Sequence, residues 1–318
     1  MPVRLARTPP YRASWAGAVF GERGVRLVPC PAASGVTARA SRVVNPGAAT
    51  ARIWDPGSVI ERLALPAEVE LLEAERLRFA QVEAPLTAAQ EARADRVWAD
   101  AVRAKPTLFD GPIAASGGLF RDGDGGLEVR WVRATYRRYL GRDVPGVTGW
   151  LPHLFAAVLQ PTPDGALLVG QMAGWTSAPG RWQFPGGTVE PPLEPGAPLG
   201  LIDIARLAAR ELWEETGTTA APERLRLWRL MRNPTGDIGA VFRAPALPRE
   251  ELRARYEERA AAERAAGDQP ELTRIAFVRD VGDLATFGGE TSDYLTAALP
   301  ALGGDQAASA ARDLPSAP

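Results

Sequence analysis

Short apolar runs separated by turn residues dominate the second half of the chain. The clearest pair lies at residues 154–159 and 166–171, on either side of the turn sequence Pro163-Asp164-Gly165. Apolar runs of this length predict buried strands, and a turn between two of them predicts a β-hairpin. We therefore expect the main sheet to begin with this hairpin.

Helices are predicted where apolar residues recur every three or four positions. The clearest signal follows Thr87, which forms a capping box with Gln90 in a segment that Pro106 stops. The other predicted helices are residues 61–81, 136–140, a segment that ends at Gly217, residues 250–266, and a closing segment that starts at 282–286. The other predicted strands are residues 112–120, 127–132, 225–232, 238–243 and 274–279, with one or two more in 15–28.

These elements divide the chain into four segments. Residues 1–85 have no clear fold, and residues 86–150 predict a helix–hairpin–helix module. Residues 151–302 predict the main domain, and a length of 318 residues suits a main domain with a smaller partner. Residues 303–318 are small and polar, so we expect this tail to be disordered.

Three glutamates close the helix that ends at Gly217. An apolar stripe at helical spacing precedes them, formed by Leu201, Ile204, Ala205, Leu207, Ala208 and Leu212. Helical spacing brings Glu211 to the same side as Glu214 and Glu215, at the edge of the core-facing stripe. Like charges this close repel, and the repulsion grows with burial. A divalent cation would reverse the sign of this interaction.

A plainer interpretation of the same segment is a solvated charged face near the end of a core helix. Arg210 and Glu214 would then form an ordinary ion pair four residues apart. The glycine turn upstream, Phe184-Pro185-Gly186-Gly187, favours a site over this alternative.

Composition restricts the chemistry. The chain has one cysteine, Cys30, and one histidine, His153, so an internal disulfide and a zinc or copper centre built from His and Cys are not expected. His153 is interpreted as a structural residue. Carboxylate clusters suit Mg²⁺ or Mn²⁺. The net charge of -1 leaves no excess of positive charge that would attract nucleic acid, so nucleic acid is not an expected partner.

The chain shows no apolar stretch of membrane-spanning length and no signal-peptide core. We therefore expect a cytoplasmic protein without a membrane partner. The oligomeric state cannot be read from the sequence.

The acidic segment resembles the motif of the Nudix hydrolases. The motif residues present here are Gly187, Arg210, Glu211, Leu212, Glu214, Glu215 and Gly217, and the lead-in residues are Trp182, Phe184, Pro185, Gly186 and Val189. Gly187 and Arg210 are roughly nine residues further apart than in the family, so the proline-rich loop 190–200 carries an insertion. The internal glutamate of the motif has three candidate counterparts, Glu190, Glu194 and Asp203.

The resemblance implies an α+β fold, a Nudix α/β/α sandwich with a mixed sheet, plus a smaller N-terminal α+β module. It implies Mg²⁺ or Mn²⁺ as cofactor, with Glu211 and Glu215 as ligands together with the Gly187 carbonyl. Glu214 would be a ligand or water partner, and Arg210 would orient the carboxylates. Glu271, just before the predicted strand 274–279, is the candidate general base, with a simple surface glutamate as the alternative.

A second resemblance concerns the region ahead of the main domain. The order Trp98, Lys105-Pro106, Leu108-Phe109-Asp110, a hairpin, Thr135-Tyr136-Arg137 and Tyr139-Leu140-Gly141 is similar to the UDP-glucose and UDP-galactose diphosphatase branch of the Nudix hydrolases. It implies a small nucleotide-derived substrate, such as a UDP-sugar cleaved to UMP and a sugar 1-phosphate. ADP-ribose or CoA derivatives are alternative substrates, and a non-catalytic ligand sensor is the alternative function.

Four residues are expected to contact the substrate near the mouth of the cleft. Arg181 and Trp182 would clamp or stack on it, although packing of aromatic residues in the core is an equal alternative. Gly186 and Gly187 would allow close approach of the backbone.

Overall fold

A computed structural model describes residues 60–106 and 108–312. The strands are β1 (Ile60–Arg62), β2 (Glu70–Leu72), β3 (Leu77–Gln81), β4 (Pro112–Asp122), β5 (Leu127–Thr135), β6 (Leu154–Leu159), β7 (Leu167–Met172), β8 (Trp182–Gln183), β9 (Gly186–Thr188), β10 (Arg226–Arg232), β11 (Ile238–Arg243) and β12 (Leu272–Val278). The helices are α1 (Ala88–Ala104), α2 (Tyr136–Leu140), α3 (Leu201–Thr216), α4 (Arg249–Ala266), α5 (Val281–Ala285) and α6 (Asp293–Arg312). The strands predicted within 15–28 lie outside the described residues.

The central sheet has the order β2-β10-β11-β6-β9. β6 pairs parallel with β11 and antiparallel with β9, so the sheet is mixed. All six residues of β6 are buried, as expected for a strand covered on both faces. The predicted α+β class with a mixed sheet is confirmed.

Helices cover the two faces of this sheet. On one face Leu154 and Val158 pack against Ile204 and Leu212 of α3. On the opposite face the alternate residues of β6 pack in a second cluster with α6. The period of two along β6 therefore sends successive side chains to the two helical layers.

The hairpin predicted for residues 154–171 is wrong. β6 joins the central sheet, whereas β7 lies in a separate sheet with the order β12-β7-β8. The two segments pair only close to the turn, through the bridge between Pro161 and Leu167 and the hydrogen bond from Leu168 N to the Gln160 carbonyl at 3.0 Å. A turn signal reports a local reversal of the chain, but the partner of each strand is chosen by longer-range packing.

The helix predicted for residues 61–81 is also wrong, because this segment forms β1, β2 and β3. β3 pairs parallel with β5, and β2 pairs antiparallel with β10. These pairings supply the hydrogen bonds that a helix would otherwise make within the segment. Tertiary pairing thus overrides the local helical spacing.

The elements predicted for the region 86–150 are present. Thr87 caps α1 with Gln90 in the predicted capping box, and β4 and β5 form the predicted hairpin ahead of α2. β1 and β3 flank this hairpin in a sheet of order β1-β4-β5-β3. Val129 and Trp131 of β5 share the hydrophobic cluster of α3, so the hairpin packs on the same core as the central sheet.

The C-terminal tail begins differently from the prediction. α6 continues through Gly303 to Arg312, although disorder was expected from residue 303 onward. Alanine-rich sequence favours helix and tolerates the two glycines. Residues 313–318 lie outside the described part of the chain. Among the described residues, no helix combines the length and apolar character needed to span a membrane.

Candidate active site

Gly217 ends α3 just after its acidic residues and lies against α4. Gly217 adopts a left-handed conformation with φ of 68°, and this ends the helix. A Cβ atom added to Gly217 would lie 2.5 Å from the Arg255 carbonyl oxygen, so α4 packs directly against this turn. The glycine therefore serves both the helix end and the contact with α4.

Glu211 lies under the glycine turn that was predicted to face it. Its side chain is only 2% exposed, and a Cβ atom added to Gly187 of β9 would lie 2.5 Å from the Glu211 Oε1 atom. Burial raises the pKa of Glu211 well above its usual value, and the negative charges of Glu271 and Glu214 raise it further. Close approach of the strand to the carboxylate requires glycine at position 187.

Glu215 is the second buried carboxylate. Its Oε2 atom accepts a hydrogen bond from the Gly186 backbone N–H at 3.0 Å. Its Oε1 atom is buried and has no hydrogen-bond partner among the described residues. Burial raises the pKa of Glu215 well above its usual value, as do the charges of Glu271 and Glu211, whereas the Gly186 N–H lowers it.

Arg210 connects the two halves of the motif. It forms an ion pair with Glu190, which follows β9, and its Nη2 atom lies 3.6 Å from Glu211 Oε1. Its Nε atom lies 3.9 Å from Glu214 Oε2, so the plainer ion pair within α3 is the longer contact. Of the three candidates for the internal glutamate, Glu190 is the one that touches Arg210.

Asp203 has a different role in the structure. Its Oδ2 atom accepts a hydrogen bond from the Gly200 N–H at 3.0 Å, which caps the start of α3, and its Oδ1 atom pairs with Arg206 at 2.7 Å. The apparent charge cluster of the sequence thus separates into a helix cap and a buried site.

Glu271 joins the site from the far end of the chain. Its carbonyl accepts a hydrogen bond from Ala173 N at 2.7 Å, just before β12 begins. Its charge is the largest electrostatic contribution to the raised pKa values of Glu211 and Glu215. The charges of Glu214 and Glu271 therefore act on both buried carboxylates, Glu211 and Glu215.

Trp182 lies in the core, which is the alternative that the sequence left open beside substrate contact. Its side chain is only 1% exposed in the core, and its indole N–H donates to the Gly288 carbonyl at 2.9 Å. Its ring lies 4.9 Å from the Phe287 ring. β8 directs this side chain into the core. The sequence alone does not show this direction, because β8 has only two residues and its partner strand β7 is known only from the structure. Gly186 likewise donates its N–H to Glu215, within the protein.

A row of rings next to the site was not predicted from the sequence. The centroid distances are 5.0 Å between Tyr139 and His153, 5.3 Å between His153 and Phe155, and 5.4 Å between Phe155 and Tyr294. The Tyr294 ring also lies 6.0 Å from Phe184, two residues before Gly186. These residues come from α2, β6 and the residue before it, the turn between β8 and β9, and α6, and no local pattern in the sequence joins them.

The buried carboxylates of Glu211 and Glu215 are suited to a divalent cation. No group of three or more His, Cys, Asp or Glu side chains is already arranged around a metal position in the described ranges. The donor set nevertheless fits Mg²⁺ or Mn²⁺, because two buried carboxylates repel each other and one buried oxygen of Glu215 lacks a partner. A cation would offset both costs.

Residues 152–294 match the model of the NUDIX domain family. Among solved structures, the chain is similar to the MutT protein from Methanosarcina mazei Go1, with 18% identity, a TM-score of 0.31, and coverage of 49% of this chain and 96% of that one. It is also similar to a Nudix hydrolase from M. Smegmatis, RenU, with 16% identity, a TM-score of 0.28, and coverage of 66% and 100%. No curated protein matches the chain.

Proposed function

We propose that this chain, whose residues 152–294 match the NUDIX domain family, is a pyrophosphohydrolase that cleaves the diphosphate bridge of a nucleoside diphosphate derivative with the help of Mg²⁺ or Mn²⁺. The observation that carries the proposal is the buried pair Glu211 and Glu215, with the charge of Glu271 acting on both. Such a cluster is costly to fold unless a cation binds it.

Glu211 and Glu215 would hold the cation, with the Gly187 carbonyl and Glu214 as further oxygen donors. When bound, the cation supplies positive charge that neutralises phosphate oxygens and stabilises the departing phosphate. Arg210, fixed by Glu190, keeps the Glu211 carboxylate in place. The ion pair of Arg210 with Glu190 thus joins α3 to the loop that follows β9.

Glu271 would act as the general base. It accepts a proton from water as the water oxygen forms a bond to one phosphorus, and the bridging P–O bond breaks. The bridging oxygen leaves on the other phosphate, so the products are two phosphate monoesters. The position of Glu271 beside both buried carboxylates supports this role.

The enzyme assay is a panel of nucleoside diphosphate derivatives with Mg²⁺ or Mn²⁺, in which both products are identified by chromatography. Glu211→Gln, Glu215→Gln and Glu271→Gln are each expected to lower kcat by about 100-fold or more. Glu250→Gln, in the exposed first turn of α4, is the matched control and should retain wild-type turnover. Wild-type rates for Glu271→Gln would remove its assignment as the base.

For the substrate we propose a UDP-sugar, cleaved to UMP and a sugar 1-phosphate. The support is the order of motifs between Trp98 and Gly141, which the structure arranges as α1, the β4–β5 hairpin and α2. ADP-ribose and CoA derivatives are the alternatives within the same chemistry. The ratio of kcat/KM values across the panel decides among them.

The second candidate function is a nucleotide-ligand sensor on the same scaffold. The lengthened loop 190–200 favours it, because this insertion separates the two halves of the motif. A sensor would bind a member of the panel tightly and release no product with either metal. The sensor function would be excluded if the wild type hydrolyses any compound of the panel and Glu271→Gln hydrolyses it more slowly.

A further inference from the structure

Among the described residues, Arg181 has no acidic partner for its side chain. Its backbone is fixed at the entrance to β8, because Met172 N donates to the Arg181 carbonyl at 2.9 Å and Arg181 N donates to the Ala178 carbonyl at 3.2 Å. The side chain is mostly buried. Its Nε atom is fully buried and finds no hydrogen-bond acceptor in the described ranges.

Other arginines around the site are paired with acids. Arg142 lies 3.5 Å from Asp237, and Arg210 forms an ion pair with Glu190. Within the part of the chain that the structure describes, no carboxylate forms an ion pair with Arg181. Withdrawing a guanidinium donor from water without an acceptor costs free energy, so the folded chain retains a cation that an anion would stabilise.

Chain geometry brings Arg181 near both the carboxylates and the row of rings. Five residues after it, the Gly186 N–H donates to Glu215 at 3.0 Å. The charge of Arg181 lowers the pKa values of Tyr294, His153 and Tyr139, although burial is the largest influence on each. The charge of Glu215 has the opposite effect and raises the pKa of Tyr294. Tyr294 is therefore the residue on which both charges act.

The backbone explains how this arrangement forms. Trp182 N donates to the Glu290 carbonyl at 2.8 Å, and Ser292 N donates to the Trp182 carbonyl at 2.9 Å. These bonds join the residue after Arg181 to the chain just before α6, where Tyr294 lies in the first turn. Arg181 and Tyr294 are thus held by adjacent, hydrogen-bonded segments.

We propose that Arg181 forms an anion subsite that binds a phosphate group of the substrate next to the carboxylate cluster. This inference rests on the proposed function and gives it a substrate-binding residue. The planar guanidinium presents paired N–H donors that match two phosphate oxygens. The negative charge of the carboxylates repels the phosphates of the substrate. The positive charge of Arg181 would offset this repulsion at the phosphate that it binds.

The alternative is that Arg181 serves only the local packing of β8. A matched comparison separates the two roles, because Arg274 lies over the Trp182 ring at 4.9 Å and donates from Nε to Gln171 at 2.8 Å. Arg274 therefore shares the surroundings of β8 but already has its acceptor. Loss of Arg274 should affect packing without affecting phosphate binding.

The test is calorimetric binding of the methylene-bridged analogues of UDP and ADP in the presence of Mg²⁺, since their P–C–P bridge resists hydrolysis. Arg181→Gln is expected to weaken binding by about 10- to 100-fold, and Arg181→Lys should recover part of that loss. Arg274→Gln should bind as the wild type does. Thermal melting of each variant confirms that it is folded.

Two results would overturn the subsite. The first is wild-type affinity in Arg181→Gln, and the second is failure of the wild-type protein to bind either analogue. A wild-type protein that binds an analogue but hydrolyses no member of the substrate panel would instead count against the proposed function. For a hydrolysed substrate, the same substitution should raise KM more than it lowers kcat.

Discussion

The Nη2 atom of Arg133 donates a hydrogen bond of 2.5 Å to the carbonyl oxygen of Pro192. This contact connects β5 of the β4–β5 hairpin to the loop 190–200. Next to it, Ala114 N of β4 donates to the Val189 carbonyl at 2.8 Å. Glu190 lies between these two anchors and holds Arg210, so the hairpin supports the connection between β9 and α3.

Replacing Arg133 with alanine is expected to loosen the inserted loop. The Pro192 carbonyl loses a charge-assisted donor, which costs about 1.5 to 3 kcal/mol. Amide hydrogen exchange should become faster in residues 190–200, and turnover should fall as Glu190 becomes mobile. Arg121→Ala, an exposed change on the same hairpin, is the control. Unchanged exchange in Arg133→Ala would separate the hairpin from the loop.

Gly187→Ala is expected to reduce activity by about 100-fold, the scale for small misplacement of catalytic groups. The new Cβ atom would lie 2.5 Å from Glu211 Oε1 and would force this buried carboxylate to move. Steady-state kinetics measures the effect. Gly174→Ala is the matched control, because a Cβ atom there meets nothing within 4 Å. Equal rates in the two variants would contradict the close packing of β9 on Glu211.

Metal should stabilise the folded protein through the same carboxylates. Their raised pKa values mean that, at pH 7 without metal, the ionised forms destabilise the folded state relative to the unfolded one. Glu215→Gln should therefore melt at a higher temperature than the wild type in EDTA. With Mg²⁺ at 100 times its Kd, the wild type should gain about 2.7 kcal/mol and Glu215→Gln much less. Equal gains would place the ion elsewhere.

His153 should make stability depend on pH. Burial is the largest of the influences that lower its pKa from 6.5 to about 4, so the folded state binds fewer protons than the unfolded state between these values. Stability from this residue is complete above pH 6.5 and falls as the pH drops toward 4, by roughly 3 kcal/mol in total. Urea unfolding of the wild type and His153→Gln across this range isolates the contribution.

The single histidine also gives a direct check on this prediction. Its imidazole proton resonances should titrate near pH 4, and a midpoint near 6.5 would contradict the buried, neutral ring. The contact of His153 Nε2 with Thr188 Oγ1, at 2.6 Å, should persist throughout the neutral range.

Residues close together in the sequence account for the successful predictions. The capping box at Thr87, the strands after the motif and the helix end at Gly217 depend on contacts within a few positions. The carboxylates of α3 belong to the same class, since helical geometry alone places Glu211 near Glu215. The candidate role of Glu271 rests on its place before a strand, which is a signal supplied by resemblance to a family, and it stays a prediction.

Contacts between residues that are distant in the sequence decide what the local patterns leave open or predict wrongly. Trp182 points into the core because β8 pairs with β7, and residues 61–81 are strands because β5 and β10 accept them as partners. Neither pairing has a local signature. The row from Tyr139 to Tyr294 joins three separate elements, and its connection to Arg181 emerges only when the chain is folded.

Residue type and helical spacing are enough to predict the acidic end of α3, its glycine partner and a divalent cation with oxygen ligands. Folding adds three relationships between remote residues: Glu190 pairs with Arg210, the charge of Glu271 acts on the buried carboxylates, and the Arg181 Nε atom finds no acceptor among the described residues. These relationships arise only on folding because charge acts through space. Burial and distance set its strength, and both are established only when remote segments pack together.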